Sequence, residues 1–176
     1  MIEHIAYIVA EIPEPVRSQV QALRDSLNTL TARLPVEITL AGSSGVGPIP
    51  AGTDLSLVKR HLDWTLSDIP PFRARFTAIR KFPNTSVFYL EPFDRSPFDH
   101  LHHKLCISAI PFLEIRWPYN PHCTLRGGER LSADAEFELV SRSFPQEEFW
   151  INTVSVYQLD DNALDCKLRY QRMLGT

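Results

Sequence analysis

Tyr119-Asn120-Pro121-His122-Cys123-Thr124-Leu125 is the stretch on which the reading of this chain turns. Pro121 interrupts whatever precedes it, and a β-prone run follows in which His122 and Thr124 stand two residues apart. Residues i and i+2 of a strand share a face, so an imidazole and a hydroxyl would project side by side. An imidazole exchanges a proton near neutrality, and a threonine hydroxyl donates to a phosphoryl oxygen. Alone, His-x-Thr recurs by chance, and a single strand histidine is ordinarily a packed or surface residue. What adds weight is a second copy of the frame. Leu34-Pro35-Val36-Glu37-Ile38-Thr39-Leu40 repeats the proline, the threonine and the leucine, with glutamate where the histidine stood.

The chain around these two stretches is of one domain's length, 176 residues, and the whole span 1–176 is expected to form a single domain of two interleaved lobes. Hydrophobic residues at 44% and charged residues at 22% are ordinary for a globular protein. A net charge of −3 argues against a basic nucleic-acid coat, though not against a local basic cleft. No apolar run approaches the roughly 20 residues that span a bilayer, and Met1-Ile2-Glu3-His4 lacks a basic signal-peptide start. Three cysteines, with no close pair, fit a reducing, cytoplasmic setting and give no thiolate zinc site.

Periodicity supplies the elements. Ile5–Ala10 reads as a buried strand, and Pro15 opens a helix to about Ala32 whose apolar face is Val16, Val20, Leu23, Leu27 and Leu30, with Arg17, Gln21, Arg24 and Asp25 elsewhere. Val36–Ala41 is the first motif strand. The glycine-rich stretch 42–48 after it has neither the spacing nor the lysine of a nucleotide-binding loop, but its amides could line a cleft beside Thr39. Thr53 or Asp54 caps a second helix carrying Leu55, Val58, Leu62 and Leu66. Phe72–Arg80 and Ser86–Leu90 read as a hairpin with Arg73 and Arg75 on one face, either a polyanion contact or, more simply, a solvated outer side. Ser96-Pro97 opens a third helix with Phe98, Leu101, His102, Leu105, Cys106 and Ile110 roughly along its apolar side. Its His100, His102 and His103 lack a carboxylate at metalloprotease spacing and read as surface or boundary residues, so no metal is expected. Pro118–Leu125 is the second motif strand, Ser132-Ala133-Asp134 caps a fourth helix burying Phe137, Val140 and Leu139, and strands at Phe149–Leu159 and Leu168–Leu174 close the chain around a turn at Asp160-Asp161-Asn162.

In each half a helix leads into a proline-introduced strand bearing Thr-Leu, then another helix and a β pair. A pseudo-repeat of this kind implies two similar lobes whose motif strands meet at a cleft, gathering position 37, Thr39, His122 and Thr124. On Ile12-Pro13-Glu14-Pro15-Val16 after the opening strand, and on Pro121-His122-Cys123-Thr124-Leu125, the chain resembles the 2H phosphoesterase superfamily, in particular its bacterial 2′-5′ RNA ligase-like cyclic phosphodiesterases. The resemblance implies an α+β fold of two pseudo-twofold lobes, with antiparallel sheets lining a central cleft and helices outside. It also implies metal-free chemistry without an organic cofactor on a 2′,3′-cyclic or 2′,5′-linked phosphodiester of RNA or a nucleotide, by a monomer that does not bind membranes. Carried over by position, His122 is a catalytic histidine, and Thr39 and Thr124 hold the phosphate. Tyr119 and Arg126 flank the motif as candidate substrate contacts.

The departure from the family pattern is Glu37. A carboxylate can act as base beside a histidinium acid, so Glu37 and His122 form a viable pair, with His122 expected as the acid. A carboxylate about 4 Å from a phosphate charge costs on the order of 4 kcal/mol at an effective dielectric of 20. Burial that raises the Glu37 pKa, or a nearby cation such as Arg126, Arg116 or Arg80, would relieve it. Three readings follow: a phosphodiesterase using Glu37 and His122; a degenerate relative that binds a nucleotide or RNA end without turnover; or a site completed instead by His4 or His61.

Overall fold

The computed structural model describes residues 1–27, 30–161 and 165–176. Its strands are β1 (Ala6–Glu11), β2 (Glu37–Ala41), β3 (Phe72–Ala74), β4 (Phe76–Lys81), β5 (Phe88–Pro92), β6 (Cys123–Arg126), β7 (Phe149–Ile151), β8 (Thr153–Leu159) and β9 (Cys166–Met173). The helices are α1 (Val16–Ser26), α2 (Leu55–Thr65), α3 (Ser96–Cys106) and α4 (Ala133–Val140). One lobe is built on a four-stranded sheet in the order β2-β1-β8-β9, the other on a three-stranded sheet β4-β5-β6, with β3 and β7 forming a two-stranded ribbon. Every pairing is antiparallel. The first and last strands of the chain thus share a lobe, and the middle of the chain makes the other.

Several boundaries differ from the sequence reading, each for a local reason. Pro15 sits at the N-cap of α1, after a cis Glu14–Pro15 peptide, instead of inside the first turn. The helix stops at Ser26, and a 3-10 turn, Leu30–Arg33, replaces its expected last turn; residues 28 and 29 lie outside the described residues. Asp54, not Thr53, caps α2 by accepting from the Ser56 amide at 2.9 Å. The run 72–80 breaks at Arg75: β3 pairs with β7, whereas β4 pairs with β5. The expected strand Phe149–Leu159 divides similarly into β7 and β8, because one run serves two sheets. Phe137 and Val140 of α4 face solvent and only Leu139 is buried, so this short helix contributes one core anchor instead of three. Asn162 of the expected turn lies outside the described residues.

The two lobes are joined crosswise. Helix α1, from the lobe of β1, packs on β6, while α3, from the chain that builds the other lobe, packs on β2. The two motif strands also touch each other directly. At their meeting point lies Arg24, placed by the sequence reading on the polar side of α1 but only 1% exposed. Its Nε donates to the Thr124 carbonyl at 2.9 Å, and its Nη1 to the carbonyls of Leu34 and Pro35 at 2.8 and 2.9 Å. Nη2 lies 3.8 Å from Cys123 Sγ. One guanidinium therefore fastens the entry to β2 and the backbone of β6. Removing it strands buried carbonyl groups, each costing roughly 1–3 kcal/mol. We expect Arg24→Met to lower unfolding free energy by about 3 kcal/mol or more. Urea midpoints check this; a variant as stable as wild type would show that water or repacking satisfies these carbonyls.

Candidate active site

Register places the site on one face of each sheet. Val9 opposes both Thr39 and Ser155, Glu11 opposes Glu37, and Tyr7 opposes Tyr157, so these residues line the same side of the first lobe's sheet. Across from it, Thr124 opposes Tyr89 on the second lobe's sheet. Glu37, Thr39, Thr124, Ser43, Tyr7 and Tyr157 line one cavity of about 240 Å³, with Arg24 in its wall. Two strands from opposite lobes thus bring the expected hydroxyl pair and the glutamate together.

Within β2, Thr39 Oγ1 donates to Glu37 Oε1 at 3.1 Å. Oε2 is sheltered from solvent and has no hydrogen-bond partner among the described residues. Burial raises the Glu37 pKa from 4.5 to about 7, although the Arg24 charge and the Thr39 hydroxyl pull it back. The cation that tempers Glu37 is Arg24. The expected arginines are engaged elsewhere: Arg80 with Glu91 at 3.1 Å, Arg126 with the Glu129 carbonyl at 2.8 Å, and Arg116 over the Trp117 ring.

His122 stands one residue before β6, which is shorter than expected. Its Nδ1 lies 2.6 Å from the Asn120 carbonyl and must donate to it, leaving Nε2 as the open nitrogen. Phe82 and Tyr89 meet the ring edge-on, at centroid distances of 4.9 and 5.4 Å. Tyr89 is also Thr124's cross-strand partner, so His122 and Thr124 face the same way. Burial holds the imidazole pKa below its usual value, and the Asn120 carbonyl opposes this only in part. Glu37 is not among the groups that shift His122, so the histidinium acid expected beside a carboxylate base is not favoured.

Tyr119 reaches the site through the backbone. Its hydroxyl donates to the Thr39 carbonyl at 3.2 Å, and its ring lies parallel on His102 at 3.8 Å. His102, on the apolar side of α3 as its spacing predicts, is buried, whereas Cys106 of the same expected stripe is exposed; His102 Nδ1 donates to the Leu40 carbonyl at 2.7 Å. The pair fixes consecutive carbonyls of β2. Gly45, at φ +71°, makes room for it: a Cβ there would lie 2.2 Å from the His102 ring. The same loop spends its amides within the fold, Gly42 on Val46, Gly45 on Trp117 and Gly47 on Leu113, so those three do not face the cavity as free donors.

His4 pairs with Asp161 at 2.9 Å and His61 lies on α2, and neither lines the Glu37 cavity; His122 does not line it either, but stands two residues before Thr124, which does. Among the described residues no group of three or more His, Cys, Asp or Glu side chains could hold a metal ion. Nor is any described helix long and apolar enough to cross a membrane.

A carboxyl raised in the folded state stabilises the fold below its unfolded pKa, and that contribution is lost as pH rises through the folded value. For Glu37 the window runs from 4.5 to about 7. Wild type and Glu37→Gln should therefore differ least near pH 4, while at about pH 8 the glutamine variant should gain on the order of 3 kcal/mol relative to wild type. Urea unfolding at both pH values tests this. A constant difference between the variants would mean that Glu37 titrates normally.

Residues 12–163 match the family model of the 2′-5′ RNA ligase superfamily. No curated protein matches the chain in sequence. Among solved structures, Thermus thermophilus TT0787 superposes with a TM-score of 0.65 at 18% identity, covering 97% of both chains. E. coli LigT, complexed with 3′-AMP, superposes with a TM-score of 0.62 at 12% identity over 100% of both chains. LigT complexed with phosphate gives 0.58 at 11% identity, again over 100% of both. At these identities the structural likeness shows the fold, the 2H phosphoesterase fold of LigT. With most of its length matched by the family model, this chain belongs to the 2′-5′ RNA ligase superfamily.

Proposed function

We propose that the chain is a phosphodiesterase that opens a 2′,3′-cyclic or 2′,5′-linked phosphodiester on an RNA end or nucleotide, with His122 as general base and Glu37 as general acid. The observation that carries this reading is the burial of Glu37 beside Thr39, in the cavity that Thr124 closes from the other lobe. Complexes of LigT with 3′-AMP and with phosphate support a nucleotide-sized ligand for this fold. The two lobes act as one domain over residues 1–176, as a cytoplasmic monomer in which three free thiols suit a reducing setting.

The roles follow from protonation. A neutral imidazole with Nδ1 committed to Asn120 offers Nε2 as a proton acceptor. A carboxyl with a pKa near 7 keeps a substantial protonated fraction at neutral pH. Since Oε1 accepts from Thr39, the proton belongs on Oε2. Nε2 takes a proton from water as its oxygen bonds to phosphorus. The phosphorus–oxygen bond to the ribose breaks, and the departing oxygen takes the Glu37 proton, leaving a phosphomonoester. Thr124 donates to a non-bridging oxygen, and Thr39 joins it by turning its single hydroxyl proton from Glu37 to the phosphate as substrate binds. Keeping Glu37 neutral removes the repulsion, on the order of 4 kcal/mol, that a carboxylate about 4 Å from the phosphate would impose.

Hydrolysis of the four nucleoside 2′,3′-cyclic monophosphates and of a short RNA with a cyclic end tests the reading. His122→Ala and Glu37→Gln should each lower kcat/KM by about 10²-fold or more. The wild-type profile should rise through a limb below pH 6.5, the usual histidine value, and fall through a limb near 7. Glu37→Gln should lose the alkaline limb. Nucleotide binding without turnover, weakened in Thr39→Ala and Thr124→Ala, would replace the enzyme with a binding protein.

A further inference from the structure

Trp64, on the outer side of α2, is 81% exposed and separates two grooves of about 580 and 650 Å³. Arg60, one helical turn earlier, lines both. His61, Lys104 and Ile107 line the first groove, Ile107 itself 69% exposed; Lys59 and Arg172 line the second. Neither groove shares a lining residue with the Glu37 cavity.

The charge of this surface opposes that of the chain. Four Lys and Arg side chains line the grooves in a protein of net charge −3. Against them, Asp63 is held by Tyr170 and Arg172, at 2.6 and 3.1 Å, and Asp68 chelates the Lys104 ammonium. Arg60 has neither an ion-pair nor a hydrogen-bond partner among the described residues, and Lys59 has only the Tyr170 ring. Arg172 Nε is buried without a partner in the same wall. An exposed indole between two cation-lined grooves suits a ligand that alternates flat bases with phosphates, since stacking tolerates any base and cations follow the backbone.

We propose that α2 carries a binding strip for single-stranded RNA, with one base stacked on Trp64 and its flanking phosphates on Arg60, Lys59 and Lys104. Helix α2 backs the core face of the first lobe's sheet, where Tyr170, opposite Val156, donates to Asp63, and the Glu37 cavity lies on the other face, so the strip stands independently of the cleft.

Fluorescence anisotropy with a labelled single-stranded RNA of about a dozen nucleotides, within the span such surfaces cover, tests the strip. Trp64→Ala should weaken binding about tenfold or more, whereas Trp150→Ala, at an exposed tryptophan elsewhere, should not. Arg60→Ala should lower the slope of log K against log salt by about 0.7. Neither variant should change binding of 3′-AMP or hydrolysis of a cyclic mononucleotide, which read the cleft alone. Wild-type RNA affinity in Trp64→Ala overturns the proposal, as does RNA binding lost only in Thr39→Ala and Thr124→Ala. So does Trp64-dependent self-association in sedimentation without RNA binding, which would make the face a protein interface. If the cleft shows neither turnover nor mononucleotide affinity while Trp64-dependent RNA binding persists, the strip stands and the cleft reading fails.

Discussion

One buried cation holds the arrangement together. Arg24 comes from the helix that follows the first strand, yet its hydrogen bonds end on the lead-in to β2 and on the backbone of β6. A guanidinium taken out of water is costly unless its donors are met, and here the backbone carbonyls of Thr31, Leu34, Pro35 and Thr124 meet them. The geometry of a guanidinium, with donors fixed in a plane, suits it to join two strands entering at different angles. Lysine, a point charge on a flexible stem, would not define that junction. The spacing between Thr39 and Thr124 therefore depends on a side chain that touches neither hydroxyl.

The same charge sets the electrostatics of the cavity. Burial alone would push Glu37 further toward neutrality; Arg24 pulls it back, to about 7. Histidine in this position would bring the opposite problem, a second cationic group beside a buried guanidinium. Glutamate next to Arg24 is thus locally consistent: the cation limits the cost of ionisation, and burial limits its extent. His122 is buffered differently. Burial beside Phe82 and Tyr89 favours the neutral ring, while the Asn120 carbonyl opposes this in part and fixes the tautomer with Nδ1 protonated. On the proposed reading, glutamate in the first frame therefore takes the acid role and His122 the base role, the reverse of what the bare residue types suggest.

What the sequence disclosed depended on how local the signal was. The paired proline-introduced strands, the turn at 42–48 and the two-lobed α+β plan were legible, since strand periodicity and proline placement are short-range properties. Helix α1 was legible too, but its register was misjudged at one residue. Val16, Val20 and Arg24 fall four apart, and all three are buried; read strictly by position, Arg24 sits on the core stripe. A charged side chain is discounted there because burial needs partners, and its partners, near residues 34 and 124, are distant in the chain. His102 fell on the apolar side of α3 in the sequence, but its partner there was not legible. Its placement beside Tyr119 depends on α3 crossing to β2, a topological fact that no local pattern in 96–106 contains.

Crosswise packing also explains why the first strand frame is so strongly supported from outside its own lobe. Tyr119 grips the carbonyl of Thr39 and His102 that of Leu40, and the two rings stack on each other. Neither contact uses a side chain of β2, so the identity of the residue at position 37 can change without loosening the strand. The Glu37 side chain itself is held by the Thr39 hydroxyl and by the Arg24 field. A scaffold that fixes the backbone through carbonyls leaves the chemistry of the side chain free to vary. That separation of support from chemistry allows a glutamate to occupy the histidine position of a 2H fold while the hydroxyls of Thr39 and Thr124 still meet in one cavity.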